Sequence, residues 1–236
     1  EPDEPVVGRG GRLAHALATL GARARRITKV PDVRRGHAQK DETLAGRRVA
    51  LRPLKPSDWS AWREVRIASR DWLEVWEPLP EAKAPDPVSD ADAFRARCGA
   101  WDRQRHFDTA YGFGLFQHDG PFMGEVSLGS VQRGPFQSAF AGYWIDRRCA
   151  GQGYMPEAVV VLLRFAFETL ALHRVEAAIV PRNTRSRRVV EKIGLREEGI
   201  SHAFLQIRGV WEDHVRYALT VEDWQERRDD LARRYL

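Results

Sequence analysis

The chain carries the octapeptide Arg148-Cys149-Ala150-Gly151-Gln152-Gly153-Tyr154-Met155 between two apolar segments. Residues 140–145 before it have the composition of a strand, and residues 156–167 after it predict a helix with Pro156 in its first turn. The first N–H groups of such a helix have no intrahelical partner and point toward an anion. Gly151 and Gly153 lack a Cβ, so a phosphate can approach the main chain, and Arg148 adds a positive charge beside it.

The glycines alone leave two interpretations open. The loop lacks the Lys-Ser or Lys-Thr that ends a nucleotide-binding P-loop, and Pro156 stands where a dinucleotide fingerprint has its third glycine. A tight strand-to-helix turn that binds nothing would use the same two glycines. The choice depends on the sequence that follows the helix.

A second motif follows a predicted strand at residues 174–180. It reads Pro181-Arg182-Asn183-Thr184-Arg185-Ser186-Arg187-Arg188-Val189-Val190-Glu191-Lys192-Ile193-Gly194-Leu195. Together, R-x-x-G-x-G opening a helix and P-x-N-x-x-S-x-x-x-x-E-K-x-G-L after the next strand resemble the GNAT superfamily of acetyl-coenzyme A-dependent N-acetyltransferases. Within it, the chain is similar to the ribosomal-protein-alanine N-acetyltransferase (RimJ- and RimL-like) branch over roughly residues 46–224.

The composition is that of a globular chain with an excess of basic residues. Its 236 residues carry a net charge of +5, which favours polyanionic ligands such as a coenzyme phosphate or an RNA-associated surface. The two cysteines, Cys98 and Cys149, form no disulfide framework or metal cluster, so we expect a reducing cytoplasm and no metal. Neither a signal peptide nor an apolar run of about 20 residues is present, so no membrane association is expected.

Residues 1–45 differ in composition from the rest of the chain. Their nine Lys and Arg residues lie among Gly, Pro and small residues, which predicts a flexible basic leader, partly helical near residues 12–25. The alternative is a basic arm that docks on RNA, on the ribosome or on a second protomer. Residues 46–236 are expected to form one acetyltransferase domain, as a monomer or a homodimer.

The hydrophobic periodicity of this domain predicts a mixed sheet with flanking helices. Strands are predicted at residues 47–54, 111–116, 122–131, 138–145 and 174–180 and in a hairpin over 196–219. Helices are predicted at residues 56–68, 89–104, 156–167 and 222–236. Three antiparallel strands before a crossover helix and a parallel strand indicate an α/β fold of α+β character with a mostly antiparallel mixed sheet. The GNAT resemblance adds two splayed strands to it.

Tryptophan is concentrated between residues 59 and 76. The residues expected on the buried side of the first helix are Trp59, Trp62, Val65 and Ile67. The resemblance implies that this helix and the following segment, with Trp72 and Trp76, form one wall of the acceptor groove. The alternative is that Trp72 and Trp76, four apart on a helix, pack against the sheet.

The resemblance also implies how the coenzyme would bind. Its diphosphate would contact loop N–H groups, and its peptide-like pantetheine arm would lie between the strands at 140–145 and 174–180, bonded to the main chain like an added strand. Asn183 would reach the same arm, with a helix N-cap as the alternative. The implied coenzyme-binding positions are Trp144, Ile145, Arg148, Gly151, Gln152, Gly153, Tyr154, Met155, Asn183 and Ser186. Among them, the main chain of Trp144 and Ile145 is the candidate oxyanion donor.

Attack of a neutral amine on a thioester needs a stabilised oxyanion and a proton for the departing thiolate. The resemblance assigns that proton to Ser186, directly or through a water, and Tyr217 is a weaker alternative. A serine hydroxyl is a poor acid in water, so its role would depend on its placement.

The base has two main candidates. Glu198 precedes a glycine and matches the glutamate that the related branch uses as its base. Glu125, in the middle of a predicted strand, is the alternative candidate. His202 and His214 are further titratable candidates. A neutral α-amine has a pKa of roughly 8, so ordered water could serve without a dedicated base.

These motifs predict an acetyl-coenzyme A-dependent enzyme that acetylates an α-amine, such as the N-terminal alanine of a ribosomal protein. A second hypothesis keeps the coenzyme and changes the acceptor to a small amine, such as an antibiotic or a polyamine. A third is a non-catalytic coenzyme-binding module that uses its basic leader to engage RNA or a partner.

Overall fold

The computed structural model describes residues 43–81 and 83–236, which build one sheet with helices on both faces. The strands are β1 Leu44–Ala45, β2 Val49–Arg52, β3 Tyr111–Gln117, β4 Phe122–Gln132, β5 Ser138–Ile145, β6 Arg174–Ile179, β7 Arg196–Ile207 and β8 Val210–Thr220. The helices are α1 Trp59–Ala68, α2 Arg70–Leu73, α3 Ala91–His106, α4 Tyr154–Arg164, α5 Thr184–Ile193 and α6 Val221–Tyr235. Residues 1–42 of the predicted leader lie outside the described residues.

The sheet has eight strands in the order β1-β2-β3-β4-β5-β6-β8-β7. Every neighbouring pair is antiparallel except β5 and β6, which are joined by the crossover through α4 and run parallel. The predicted mixed, mostly antiparallel sheet is therefore confirmed, and so is the hairpin of β7 and β8.

The parallel pair β5 and β6 separates after a short contact. Their register contains only Ser138↔Arg174, Ala139↔Val175 and Phe140↔Glu176. Beyond these three pairs, the remaining residues of β5 keep their antiparallel partners on β4 but have no partner on β6. One side of the β5 main chain therefore faces a gap in the sheet, as the predicted splay requires.

Helix termini follow local capping chemistry. The Asp90 side chain accepts from the Asp92 N–H at 2.8 Å, so α3 begins just after Asp90 and slightly later than predicted. Asn183 caps α5 by accepting from the Ser186 N–H at 3.1 Å. Gly194, with φ of 87°, ends α5 in the left-handed conformation that glycine adopts without strain.

The core lies on both faces of the sheet. On one face α4 is buried along most of its length, and its Val160 and Leu162 are fully inaccessible to solvent. On the other face a smaller cluster packs Trp62 of α1 against Phe94 of α3, with ring centroids 4.9 Å apart. The sheet therefore separates two packed layers, and the gap between β5 and β6 connects them.

The tryptophan-rich region departs from the sequence prediction in two respects. Ile67 is 49% exposed, because α1 buries Trp62 and Val65 instead. Trp72 lies on α2, whereas Trp76 lies in a separate 3₁₀ turn, Glu74–Trp76, so the two do not share one helix.

Among the described residues, no helix has the length and apolar character needed to cross a membrane.

Substitution of Gly124 tests how tightly β4 packs against β5 beside the gap between β5 and β6. A Cβ there would lie 2.2 Å from the Trp144 carbonyl oxygen, and strand backbone cannot move aside as a flexible side chain can. Gly124→Ala is expected to destabilise the protein by about 1–3 kcal/mol in urea unfolding. Gly129→Ala on the same strand is the matched control, since no atom lies within 4 Å of its Cβ. Equal stability of the two variants would contradict the packing described.

Candidate active site

A cavity of about 1150 Å³ opens where β5 and β6 part. Its walls come from the end of β5, the glycine loop, the start of α4, and the segment from Arg182 to Ser186. Residues of α2 and α3 close the opposite side. The two motifs quoted from the sequence thus meet at one site, although residues 156–180 separate them in the chain.

The glycine loop forms a cradle for an anion. Gly151 and Gly153 have φ of 79° and 85°, and Gly153 is the N-cap residue of α4. The left-handed conformation of both residues turns the chain sharply into the helix, where the first N–H groups lack intrahelical acceptors. With Tyr154 and Met155 on the cavity wall, this end of α4 can hold a phosphate group.

Arg48, the residue just before β2, holds the loop in place. The Arg48 guanidinium donates to the Gln152 carbonyl at 3.1 Å and lies 4.6 Å above the Tyr154 ring. It also pairs at 2.9 Å with Glu157, a residue of α4 that is only 1% exposed and accepts from the Val49 N–H. Neither Arg48 nor Glu157 was singled out from the sequence, because they lie 109 residues apart in the chain.

Asp146 fixes the other end of the loop. Its buried carboxylate accepts from the Arg148 N–H and from the Ser69 hydroxyl, at 3.0 and 3.1 Å. Burial alone would raise the pKa of Asp146, but the hydrogen bonds from Arg148 and Ser69 outweigh it and lower the pKa. Because Ser69 also accepts from the Arg147 N–H at 3.1 Å, this cluster ties the loop to the start of α2.

The Arg148 side chain is ion-paired within the protein. Its guanidinium is held by Asp146 at 2.7 Å and by Glu64 at 3.5 Å, and Arg147 lines the cavity instead. The Gln152 side chain likewise turns back to the Arg148 carbonyl, at 2.9 Å. Burial and the charge of Asp146 raise the pKa of the Cys149 thiol, so this thiol stays protonated at neutral pH and is a poor nucleophile.

Ser186 forms a hydroxyl pair with Tyr143 of β5. Its Oγ donates to Tyr143 Oη at 3.0 Å, and Tyr143 Oη donates to the Ser186 carbonyl oxygen at 2.9 Å. Burial raises the pKa of Tyr143, although the hydrogen bond with Ser186 opposes this, so the phenol stays protonated at neutral pH. Tyr143 was not predicted as a site residue, since nothing in the sequence distinguishes it from a core strand position.

Glu125 lies on the opposite face of the sheet from this pair. Residues directly opposite each other in antiparallel strands share a face, and successive residues alternate. Glu125 is opposite Trp144, one position removed from Tyr143. It is 6% exposed, lines the cavity, and accepts from Trp62 of α1 at 2.6 Å and from Arg97 of α3 at 2.5 Å.

The structure does not bring Glu198 to the cavity. It lies on β7 and is bound by Arg174 at the start of β6, whereas the cavity is at the other end of β6. The hydrogen bonds from Arg174 lower the pKa of Glu198, which is the reverse of what a base acting near neutral pH needs. Glu198 therefore lies two strands away from the gap, on the edge strand β7, and does not line the cavity.

The other titratable candidates also lie away from the cavity wall. Burial raises the pKa of Tyr217 to about 12, and its hydroxyl contacts Arg187 at 2.8 Å and Glu191 at 2.9 Å. His202 pairs with Asp213 at 2.9 Å on an exposed edge, and His214 is buried beside the Glu212 carbonyl at 3.0 Å. None of the three lines the cavity.

No group of three or more potential metal ligands occurs among the described residues.

The tryptophan segment forms a wall of the cavity and contacts arginines from across the gap. Arg185 lies 4.5 Å above the Trp72 ring, and Arg182 lies 5.3 Å above the Trp76 ring. Trp72 and Trp76 therefore line the cavity, and that this wall holds the acceptor stays a prediction. Their contacts with the arginines do not agree with the alternative in which both rings pack against the sheet.

A divided sheet with an anion cradle at the mouth of the gap defines the class of the GNAT acyltransferases. The family model described as "Acetyltransferase (GNAT) domain" matches residues 48–196, and this chain belongs to that family and is an N-acetyltransferase.

Two relatives and one solved structure show where in the family it falls. The Bacillus subtilis (strain 168) probable N-acetyltransferase YjcK is 36% identical over 181 residues, covering 76% of this chain and 98% of that protein. The Escherichia coli (strain K12) [ribosomal protein uS5]-alanine N-acetyltransferase is 33% identical over 170 residues, covering 71% and 86%. Mycobacterium smegmatis RimJ, solved in complex with CoA-disulfide, superposes with a TM-score of 0.72 at 32% identity, covering 78% of this chain and 89% of that one.

Asp146→Asn tests the cluster that fixes the loop. A carboxylate whose folded-state pKa is lowered contributes stability above its unfolded pKa of about 3.9 and loses it as the pH falls through the folded value. The variant is therefore expected to be less stable than wild type by about 1–3 kcal/mol at pH 7. In urea unfolding this difference should shrink as the pH is lowered toward 3. A difference that stays constant with pH would contradict the assigned charge state.

Proposed function

We infer that this protein is an acetyl-coenzyme A-dependent Nα-acetyltransferase that acts on protein N-termini, such as the N-terminal alanine of a ribosomal protein. The observation that carries this proposal is the gap between β5 and β6, with the Ser186–Tyr143 pair on one face and the buried Glu125 on the other. An acceptor and a thioester that enter from opposite faces would meet inside the sheet.

The residues of the cavity suit the coenzyme. The cradle at the start of α4 offers N–H groups to a diphosphate. The side of β5 that faces the gap offers main-chain donors and acceptors to an amide-bearing arm, as an edge strand offers them to a peptide. When bound there, the coenzyme would supply the acetyl thioester and leave as a thiolate. The main chain of Trp144 and Ile145 is our candidate for the oxyanion donor.

The chain's side chains would then handle two protons. As the amine nitrogen bonds to the acetyl carbon and the carbon–sulfur bond breaks, the amine loses one proton and the thiolate gains one. Glu125 would accept the first proton, directly or through a water, because unlike Glu198 it lines the cavity. Its carboxylate keeps lone pairs beyond those that Trp62 and Arg97 occupy. Ser186 would deliver the second and regain it from solvent, with Tyr143 orienting its hydroxyl. Asn183 would position Ser186 by capping α5.

The charge of the cavity argues against a polycationic acceptor. Both acidic residues on its wall are already paired, Glu77 with Arg66 at 2.7 Å and Glu125 with Arg97 at 2.5 Å. Six basic residues line the described cavity: Arg97, Arg147, Arg182, Arg185, Arg188 and Lys192. A polyamine would meet like charges there, whereas a peptide N-terminus brings a single amine. We place the activity in the cytoplasm, where it could meet ribosomal proteins.

Acetyl transfer from labelled acetyl-coenzyme A tests this proposal. We expect transfer to a peptide with a free N-terminal alanine, and none to the same peptide with a blocked N-terminus or to spermidine. Ser186→Ala is expected to lower kcat about 100-fold or more, the usual contribution of a positioned proton donor. Ser201→Ala on β7, away from the cavity wall, is the matched control and should retain wild-type kcat.

Two results would contradict different parts of the proposal. Acetylation of spermidine without any acetylation of the peptide would assign the enzyme to small amines. Wild-type kcat in Ser186→Ala would remove Ser186 from the proton transfer while leaving the acceptor assignment in place.

A further inference from the structure

The basic residues of α5 divide into two sets with different surroundings. Arg187 donates to Tyr217 Oη at 2.8 Å and pairs with Glu197 at 3.3 Å, so its charge is neutralised within the protein. Arg188 and Lys192 are exposed, line the cavity, and have no ion pair with any described residue. Of the three basic residues on the cavity side of α5, Arg185 lies above the Trp72 ring, whereas Arg188 and Lys192 have neither an ion pair nor an aromatic contact among the described residues.

The spacing of these two cations is unfavourable without a ligand. Residues four apart on a helix have Cβ atoms about 5–6 Å apart, and like charges at that spacing destabilise a helix. A phosphate monoester carries about −1.5 to −2 charge at pH 7 and would turn this repulsion into two attractive contacts. An anion between Arg188 and Lys192 would therefore be stabilised by both.

The position of the pair along α5 indicates which anion it would take. A helix rises about 1.5 Å per residue, so Arg188 lies about 3 Å and Lys192 about 9 Å farther along the axis than Ser186. Arg188 and Lys192 therefore lie progressively farther from the Ser186 hydroxyl, which we place beside the thioester sulfur. On coenzyme A, the groups remote from the sulfur are the diphosphate and a phosphomonoester on the ribose. The cradle at Gly151 and Gly153 would bind the diphosphate. It contains no group that we assign to the ribose phosphomonoester.

We propose that Arg188 and Lys192 form a separate site for the ribose phosphomonoester of the coenzyme. The inference rests on the proposed function, since it takes coenzyme A as the ligand of the cavity. Arg185, the other basic residue on this side of α5, lies above the Trp72 ring and is not part of the site. The pair would make the enzyme discriminate between coenzyme A and its 3′-dephospho form.

Calorimetric titration with coenzyme A and with 3′-dephospho-coenzyme A tests the assignment. Wild-type protein is expected to bind coenzyme A about tenfold or more tightly than the dephospho form, as charge-assisted contacts to one phosphate allow. In the double variant Arg188→Gln/Lys192→Gln this ratio should fall toward one. The loss should come from weaker binding of coenzyme A, with the affinity for the dephospho form unchanged.

Arg228→Gln on α6 is the matched control, because it removes an exposed arginine that lies off the cavity wall and should leave the ratio at its wild-type value. A double variant that keeps the wild-type ratio would overturn the assignment. So would a double variant that loses binding to a short single-stranded RNA while its ratio is unchanged, since the pair would then serve RNA. Failure of wild-type protein to bind either coenzyme would instead contradict the proposed function itself.

Discussion

The parallel contact between β5 and β6 ends after Phe140 and Glu176, and the architecture of the site depends on that short register. Had the two strands stayed paired, the main-chain groups at the end of β5 would be satisfied by β6 and the sheet would be closed. Because they diverge, one row of main-chain donors and acceptors remains available at the centre of the sheet. Because these groups have no partner on β6, they can hydrogen-bond to an extended ligand that lies along β5.

The two helices that follow these strands, α4 and α5, also begin beside the gap. Helix α4 begins at the end of β5 and α5 begins just after β6, so both N-termini and their caps border the gap. The loop before α4 is fixed from two directions, by Arg48 with Glu157 and by Asp146 with Ser69. Such bracing holds the N–H groups in place before an anion arrives, which reduces the entropy lost on binding.

The features that sequence could predict are those encoded by neighbouring residues. The glycine loop with its helix, the cap at Asn183, and the alternation of the strands all depend on short-range chemistry, and the structure contains each of them. The features it missed depend on the register of distant strands. Tyr143 reaches Ser186 across 43 residues of chain, and Glu198 was assigned by resemblance although β7 carries it to Arg174. No local pattern reports either juxtaposition.

Amide hydrogen exchange, measured on the protein with and without coenzyme A, reports whether the coenzyme occupies the gap between β5 and β6. Those amides of residues 141–145 that face the gap rather than β4 are expected to become protected on coenzyme binding, together with the amides of residues 151–155. The paired residues Ser138–Phe140 should be protected in both states. Coenzyme binding that leaves exchange in residues 141–145 unchanged would show that the coenzyme does not lie along the end of β5.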